Sequence, residues 1–231
     1  MNTELTELVF ILDRSGSMGG LESDTIGGFN GMIARQNTQE KKVNVTTILF
    51  DDKVDIIHDR FPIEIVKSLT EKEYFVRGCT ALLDAVGTAI EKMENVQMHL
   101  PEDHRAGKII FVITTDGLEN SSEHFTQEQI RRKIEAKKEC GWEFLFLGAN
   151  IDAGKEAEKI GIRRNRSVTY ENDSQGIAVN FKAVGNALSK AVACESDEDL
   201  FDDEWKDEIE EYREKSNRKK KGKRHVFFNR F

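Results

Sequence analysis

The stretch Val9-Phe10-Ile11-Leu12-Asp13-Arg14-Ser15-Gly16-Ser17-Met18-Gly19-Gly20 decides how this chain folds. Its four leading apolar residues, branched and aromatic, suit a strand covered on both faces of a sheet. The run stops at Asp13, Ser15 and Ser17 follow in the loop, and a glycine pair leads towards a helix. In open α/β sheets, ligands bind just beyond the carboxyl ends of the strands. One carboxylate and two hydroxyls held there form a set of hard oxygen donors, suited to Mg²⁺ or Mn²⁺. The same residue types also suit a helix N-cap, which satisfies free N–H groups, so the motif must be read with the rest of the chain.

Two downstream stretches complete it. Gly78-Cys79-Thr80-Ala81-Leu82-Leu83-Asp84-Ala85 sets a threonine at the start of a helical pattern. Ile109-Ile110-Phe111-Val112-Ile113-Thr114-Thr115-Asp116-Gly117 repeats the first logic: apolar strand, aspartate, glycine. In this order the three pieces resemble the metal-ion-dependent adhesion site of von Willebrand factor A-type domains. The resemblance runs from Leu5 to Ala193. It implies that Ser15, Ser17 and Thr80 turn hydroxyls to a Mg²⁺ or Mn²⁺ ion, with Asp13 and Asp116 contributing directly or through water. It further implies a divalent-cation-dependent adaptor module whose metal captures a Glu or Asp of a partner protein. The short single-domain form resembles bacterial and phage intracellular members, some of which serve as adaptors for larger machines.

The remaining pattern predicts an α/β fold. Strands are expected over 5–12, 43–50, 54–61, 108–114, 142–147 and 167–170. Helices are expected over 21–36, from Leu82, from the Thr126-Gln127-Glu128-Gln129 capping box to Glu139, after Asp152, and over a long amphipathic segment carrying Ile177, Phe181, Val184, Leu188 and Ala191. Such alternation implies a doubly wound, mostly parallel sheet with helices on both faces, Rossmann-like. The turn Asp51-Asp52-Lys53 is too short for a crossover, so its two strands pair antiparallel, matching the one antiparallel edge strand of the family's six-stranded sheet. Gly27, Gly28 and Gly31 weaken the first helix by about 1 kcal/mol each relative to alanine, and close approach to a neighbour would explain them. Cys79 reads as a small buried neighbour of the threonine loop. The five histidines read as surface residues.

Composition bounds the function. The net charge of −8 disfavours nucleic acid as a partner. No apolar stretch reaches the length of a membrane helix, and the N-terminal residues lack a basic-then-apolar leader. Three dispersed cysteines form neither a disulfide framework nor a zinc pattern, which favours a cytoplasmic setting. The expected organisation is an A-type domain over 1–194 and a charged extension over 195–231, flexible or partly helical. Its acidic first part is interrupted by Leu200, Phe201, Trp205 and Ile209, and its later part is basic. No catalytic residues emerge. The alternative is a metal-dependent hydrolase of phosphoryl substrates, but Ser15 stands where a phosphoaspartate enzyme needs its second Asp, and no phosphate-binding loop is present.

Overall fold

The computed structural model describes residues 1–38, 40–195 and 200–228. Its strands are β1 (Asn2–Asp13), β2 (Lys42–Phe50), β3 (Val54–Pro62), β4 (Ala106–Thr115), β5 (Glu143–Ala149) and β6 (Ser167–Tyr170). They form one six-stranded sheet in the order β3-β2-β1-β4-β5-β6, parallel throughout except for the β2–β3 hairpin at one edge. β1 starts three residues before the expected Leu5, because its first residues extend the pairing towards Ala106.

Successive β1 side chains point to opposite faces, and both faces are covered. Leu8, Phe10 and Leu12 pack with residues of α1 (Glu22–Gln36) and α5 (Ser174–Ala193). Val9 and Ile11 pack with residues of α2 (Leu82–His99), α3 (Gln127–Glu139) and α4 (Ala153–Lys159). The Phe10 and Phe29 rings meet edge to face at 5.4 Å, and Phe111 stacks on Phe144 at 4.8 Å. Gly28 is where α1 meets α5: a Cβ there would overlap the Phe181 ring. Gly27 and Gly31 have nothing within 4 Å of such a Cβ, so close approach explains only one of the three glycines.

Caps fall where the side chains predict them. Thr126 and Gln129 close a reciprocal capping box on α3, Asp152 accepts from the Lys155 N–H, and Asp173 accepts from the Gly176 N–H to start α5. Gly161 follows α4 at φ +85°, a conformation open to glycine. His58 departs from the surface expectation. It is buried on β3, with Nδ1 3.0 Å from Thr47 Oγ1, and burial pushes its pKa down.

Beyond α5 the chain turns back. Phe201, Trp205 and Ile209 join the core layer of α1 and α5, and Trp205 Nε1 donates to the Asn165 carbonyl at 3.0 Å. α6 (Asp207–Phe228) then runs antiparallel to α5 and alongside β6. Lys182 pairs with Glu208, Tyr212 donates to Asp173, and Lys220 reaches Glu171 just past the end of β6. The sequence pattern here is a charged extension interrupted by Leu200, Phe201, Trp205 and Ile209, and the last three of these anchor the segment by burial. The acidic positions 196–199 and the terminal 229–231 lie outside the described residues. Among the described residues, no helix is long and apolar enough to cross a membrane.

Candidate metal centre

The five oxygen-bearing residues proposed from sequence meet at one end of the sheet. β1 delivers Asp13 at its last position, and Ser15 and Ser17 follow as the chain leaves the sheet. Asp13 is buried and accepts from the Ser15 N–H at 2.7 Å and the Thr115 hydroxyl at 2.6 Å. Ser15 Oγ lies 3.1 Å from Ser17 Oγ, and Ser17 in turn donates to Asp116 Oδ1. Asp116 leaves β4, the strand paired to β1, so the parallel register brings the two aspartates to the same rim. Thr80 comes from the loop before α2. Its N–H donates to Asn120 Oδ1 at 2.9 Å, and its carbonyl accepts from the Asn120 N–H at 3.1 Å. Gly117 connects these donors: a Cβ there would lie 3.0 Å from Thr80 Oγ1 and 3.5 Å from Ser17 Oγ.

The electrostatics of this cluster are unfavourable as it stands. Burial pushes the Asp13 carboxyl above its ordinary value, against hydrogen bonds from Ser15 and Thr115 that lower it. Burial also raises Asp116, and the Asp13 charge adds to the shift, with Ser17 and Asn172 opposing it. Two acids under mutual repulsion, partnered mainly by neutral groups, are a setting that a cation relieves. Arg14 does not supply that charge. Its guanidinium donates to Asp51 at 2.8 Å, to Asp55, and to the Glu73 carbonyl at 3.2 Å.

Arg14 instead fixes the loop. It is 2% exposed and lies between the two aspartates, with Arg77 also donating to Asp51 at 2.7 Å. Phe75 carries both guanidiniums against its ring, at 5.3 and 5.2 Å from the centroid. The Gly16 N–H meets the Gly78 carbonyl at 3.3 Å, tying the serine loop to the threonine loop. Tyr74 donates its hydroxyl to the Asp13 carbonyl at 2.6 Å. Asp84, in the first turn of α2, accepts from the Glu123, His124 and Phe125 N–H groups and so holds the loop after Asp116. Glu119 accepts from the Leu83 N–H and closes the same loop from the other side.

The donor set fits a hard divalent cation, with three hydroxyls and two carboxylates around a cradle that a single Cβ would crowd. Among the described residues, no group of three or more His, Cys, Asp and Glu could hold a metal ion. Asn172 is a contributor that sequence reasoning missed. Its Nδ2 donates to Asp116 Oδ2 at 3.2 Å, and its own Oδ1 is buried with no partner among the described residues. No sequence signal marks it, because an asparagine between a strand and a helix cap looks like any turn residue. Cys79 corrects another expectation, being exposed beside Thr80.

The profile of the von Willebrand factor type A domain matches residues 7–184. The chain belongs to that family. Domains of this type mediate metal-dependent protein interaction. Among solved structures, the A-type domain of the type V pili tip protein Mfa5 from Porphyromonas gingivalis aligns with a TM-score of 0.58 at 10% identity, covering 84% of this chain and 98% of that one. The pilus adhesin SpaC from Lactobacillus rhamnosus GG aligns at 0.61 with 13% identity, covering 82% of this chain and 30% of that one. Proximal thread matrix protein 1 from the mussel byssus, with a zinc-occupied MIDAS motif, aligns at 0.52 with 13% identity, covering 80% and 46% respectively. The chain thus spans about half the length of the mussel protein and under a third of the adhesin, and these likenesses show the A-type fold alone. A comparison with curated protein sequences returns no match.

Proposed function

We propose that this A-type domain is a divalent-cation-dependent adaptor that captures an acidic side chain of a partner protein. The observation that carries the reading is the convergence of Asp13, Ser15, Ser17, Thr80 and Asp116 around a cradle kept clear by Gly117. Ser15, Ser17 and Thr80 would hold Mg²⁺ or Mn²⁺ through hydroxyls, with Asp13 and Asp116 directly or through water. Neutral donors leave much of the cation's charge uncompensated, and the bound ion supplies an open position for an incoming carboxylate.

The chain's own residues keep that position usable. Thr115 and the Ser15 N–H orient Asp13, Ser17 and Asn172 orient Asp116, and Asn120 fixes the threonine loop. Leu118, 54% exposed directly after Gly117, offers an apolar contact on the rim. Three separate free cysteines are in keeping with a cytoplasmic setting. The organisation that goes with this reading is an A-type domain over 1–194 with the charged extension as an appendage.

Thermal unfolding in EDTA, Mg²⁺, Mn²⁺ and Ca²⁺ tests the centre, for wild type and Asp116→Ala. An upward shift in wild type that disappears in Asp116→Ala is expected. Equal midpoints in EDTA and at millimolar metal would refute the metal centre.

A further inference from the structure

At the rim that carries the metal cluster, a cavity of about 460 Å³ opens between the ends of β5 and β6 and the side of α6. Asn150, at φ +56°, borders it just past β5, Glu171 just past β6, and Arg213, Asn217 and Lys220 from α6. The lining acids are engaged: Glu171 by Lys220, and Asp152 through Oδ1 by the Lys155 N–H that it caps. Arg213 is exposed and has neither an ion pair nor a hydrogen bond among the described residues, and the Asn217 amide likewise has no partner. One helical turn apart, these two present a guanidinium fork and an amide to the same space.

The charge around the cavity is unlike the rest of the chain. Residues 213–220 carry five Lys and Arg against one Glu, in a protein of net charge −8. α6 brings this block to the strand-end rim because Tyr212 is bonded to Asp173 and Lys220 to Glu171, the residues flanking Asn172, which itself holds Asp116. β6 lies two strands from β4, and neighbouring strands are about 4.8 Å apart, so the cavity opens about 10 Å along the rim from Asp116.

We propose that this cavity is a second carboxylate subsite for the acidic partner, with Arg213 and Asn217 as its donors. The preferred ligand is a polypeptide segment presenting two carboxylates about 10 Å apart on one face, three residues apart in a polyproline II chain or two turns apart on a helix. The first carboxylate rests on the metal reading above; the second does not. A guanidinium with its donors free matches a carboxylate by two parallel hydrogen bonds, which a lysine would not reproduce. A nucleic acid is the less suitable occupant of a chain whose net charge is −8.

The test uses the full chain and fluorescein-labelled proline-rich peptides of polyproline II form, neutral apart from two glutamates three residues apart or a single glutamate. Anisotropy is read in Mg²⁺ and in EDTA for wild type, Arg213→Ala, Arg213→Lys and Asp116→Ala. The two-glutamate peptide should bind wild type about tenfold tighter than the single-glutamate one, the scale of a charge-assisted hydrogen bond. Arg213→Ala should erase that preference, Arg213→Lys should restore little of it, and neither should alter the Mg²⁺-induced thermal shift. Equal affinity of wild type and Arg213→Ala for the two-glutamate peptide would overturn the subsite. So would an equal loss for an oligo-dT probe, which would mark a general polyanion surface. Binding that ignores EDTA and Asp116→Ala but still needs Arg213 would refute the metal reading while upholding the subsite.

Discussion

Replacing Gly117 by alanine tests the candidate metal centre at its narrowest point. The added Cβ would sit 3.0 Å from Thr80 Oγ1 and 3.5 Å from Ser17 Oγ, so one of these donors must move by a few tenths of an ångström. Thr80 has little room to move, being 3% exposed and bound to Asn120 through both its N–H and its carbonyl. Mg²⁺ holds its ligands at about 2.0–2.1 Å in near-octahedral geometry, so a displaced hydroxyl weakens binding directly. At a hundred times the dissociation constant, a ligand stabilises the fold by about 2.7 kcal/mol; a tenfold weaker site leaves about 1.4 kcal/mol at the same concentration. For a chain of this size these correspond to midpoint shifts of roughly 5–10 °C and 3–6 °C. Differential scanning fluorimetry in EDTA and in titrated Mg²⁺ reads both values. The expected result is a halved Mg²⁺ shift with the EDTA midpoint near that of wild type. A full Mg²⁺ shift in Gly117→Ala would refute the placement of the cation between Thr80 and Ser17.

The raised pKa values of Asp13 and Asp116 set the pH dependence. With folded values above the unfolded ones, the metal-free fold binds more protons than the unfolded chain and loses stability as pH rises through the raised values. Metal binding needs the ionised carboxylates, so the Mg²⁺ shift should grow over that same range, and Asp116→Asn should raise the EDTA midpoint at neutral pH while removing the shift. Asp51 behaves oppositely. Burial alone would raise it, but hydrogen bonds from Arg77, the Lys53 N–H and Arg14 outweigh that and lower it. Its contribution is present above the ordinary carboxylate value and lost as pH falls through the lowered one. Arg14→Met should cost about 3–5 kcal/mol, seen in urea unfolding, because it strips a charge partner from Asp51, which is 0% exposed. A loss under 1 kcal/mol would mean that Arg77 alone satisfies Asp51. Gly28→Ala should destabilise by about 1–3 kcal/mol through overlap with Phe181, whereas Gly27→Ala and Gly31→Ala should be neutral or stabilising in the same assay.

The sequence by itself determined the sheet and the identity of the clustered oxygens. Each candidate residue sits within a few positions of an apolar strand or a helix start, and those local signals depend only on neighbours along the chain. Asp13 and Asp116 end strands that are both buried, and parallel pairing then requires their ends to meet. The β2–β3 hairpin followed from the length of one turn. Strand ends were read less well, because backbone pairing at β1 and β4 continues where side-chain pattern has stopped.

Only the tertiary structure decided what holds the site. Arg14 donates to residues 37 and 41 positions away, and Asn172 to one 56 positions away, separations at which charge and polarity in sequence carry no partner information. Burial of Asp51 and His58, exposure of Cys79, and the need for glycine at 28 but not at 27 or 31 all depend on which surface a neighbouring element covers. The extension shows the same division most plainly. Its charge blocks are legible at once, but three apolar side chains among them, Phe201, Trp205 and Ile209, fix where α6 lies. Burial is non-directional along the chain, so where those blocks stand relative to the metal face emerges only when the layers pack.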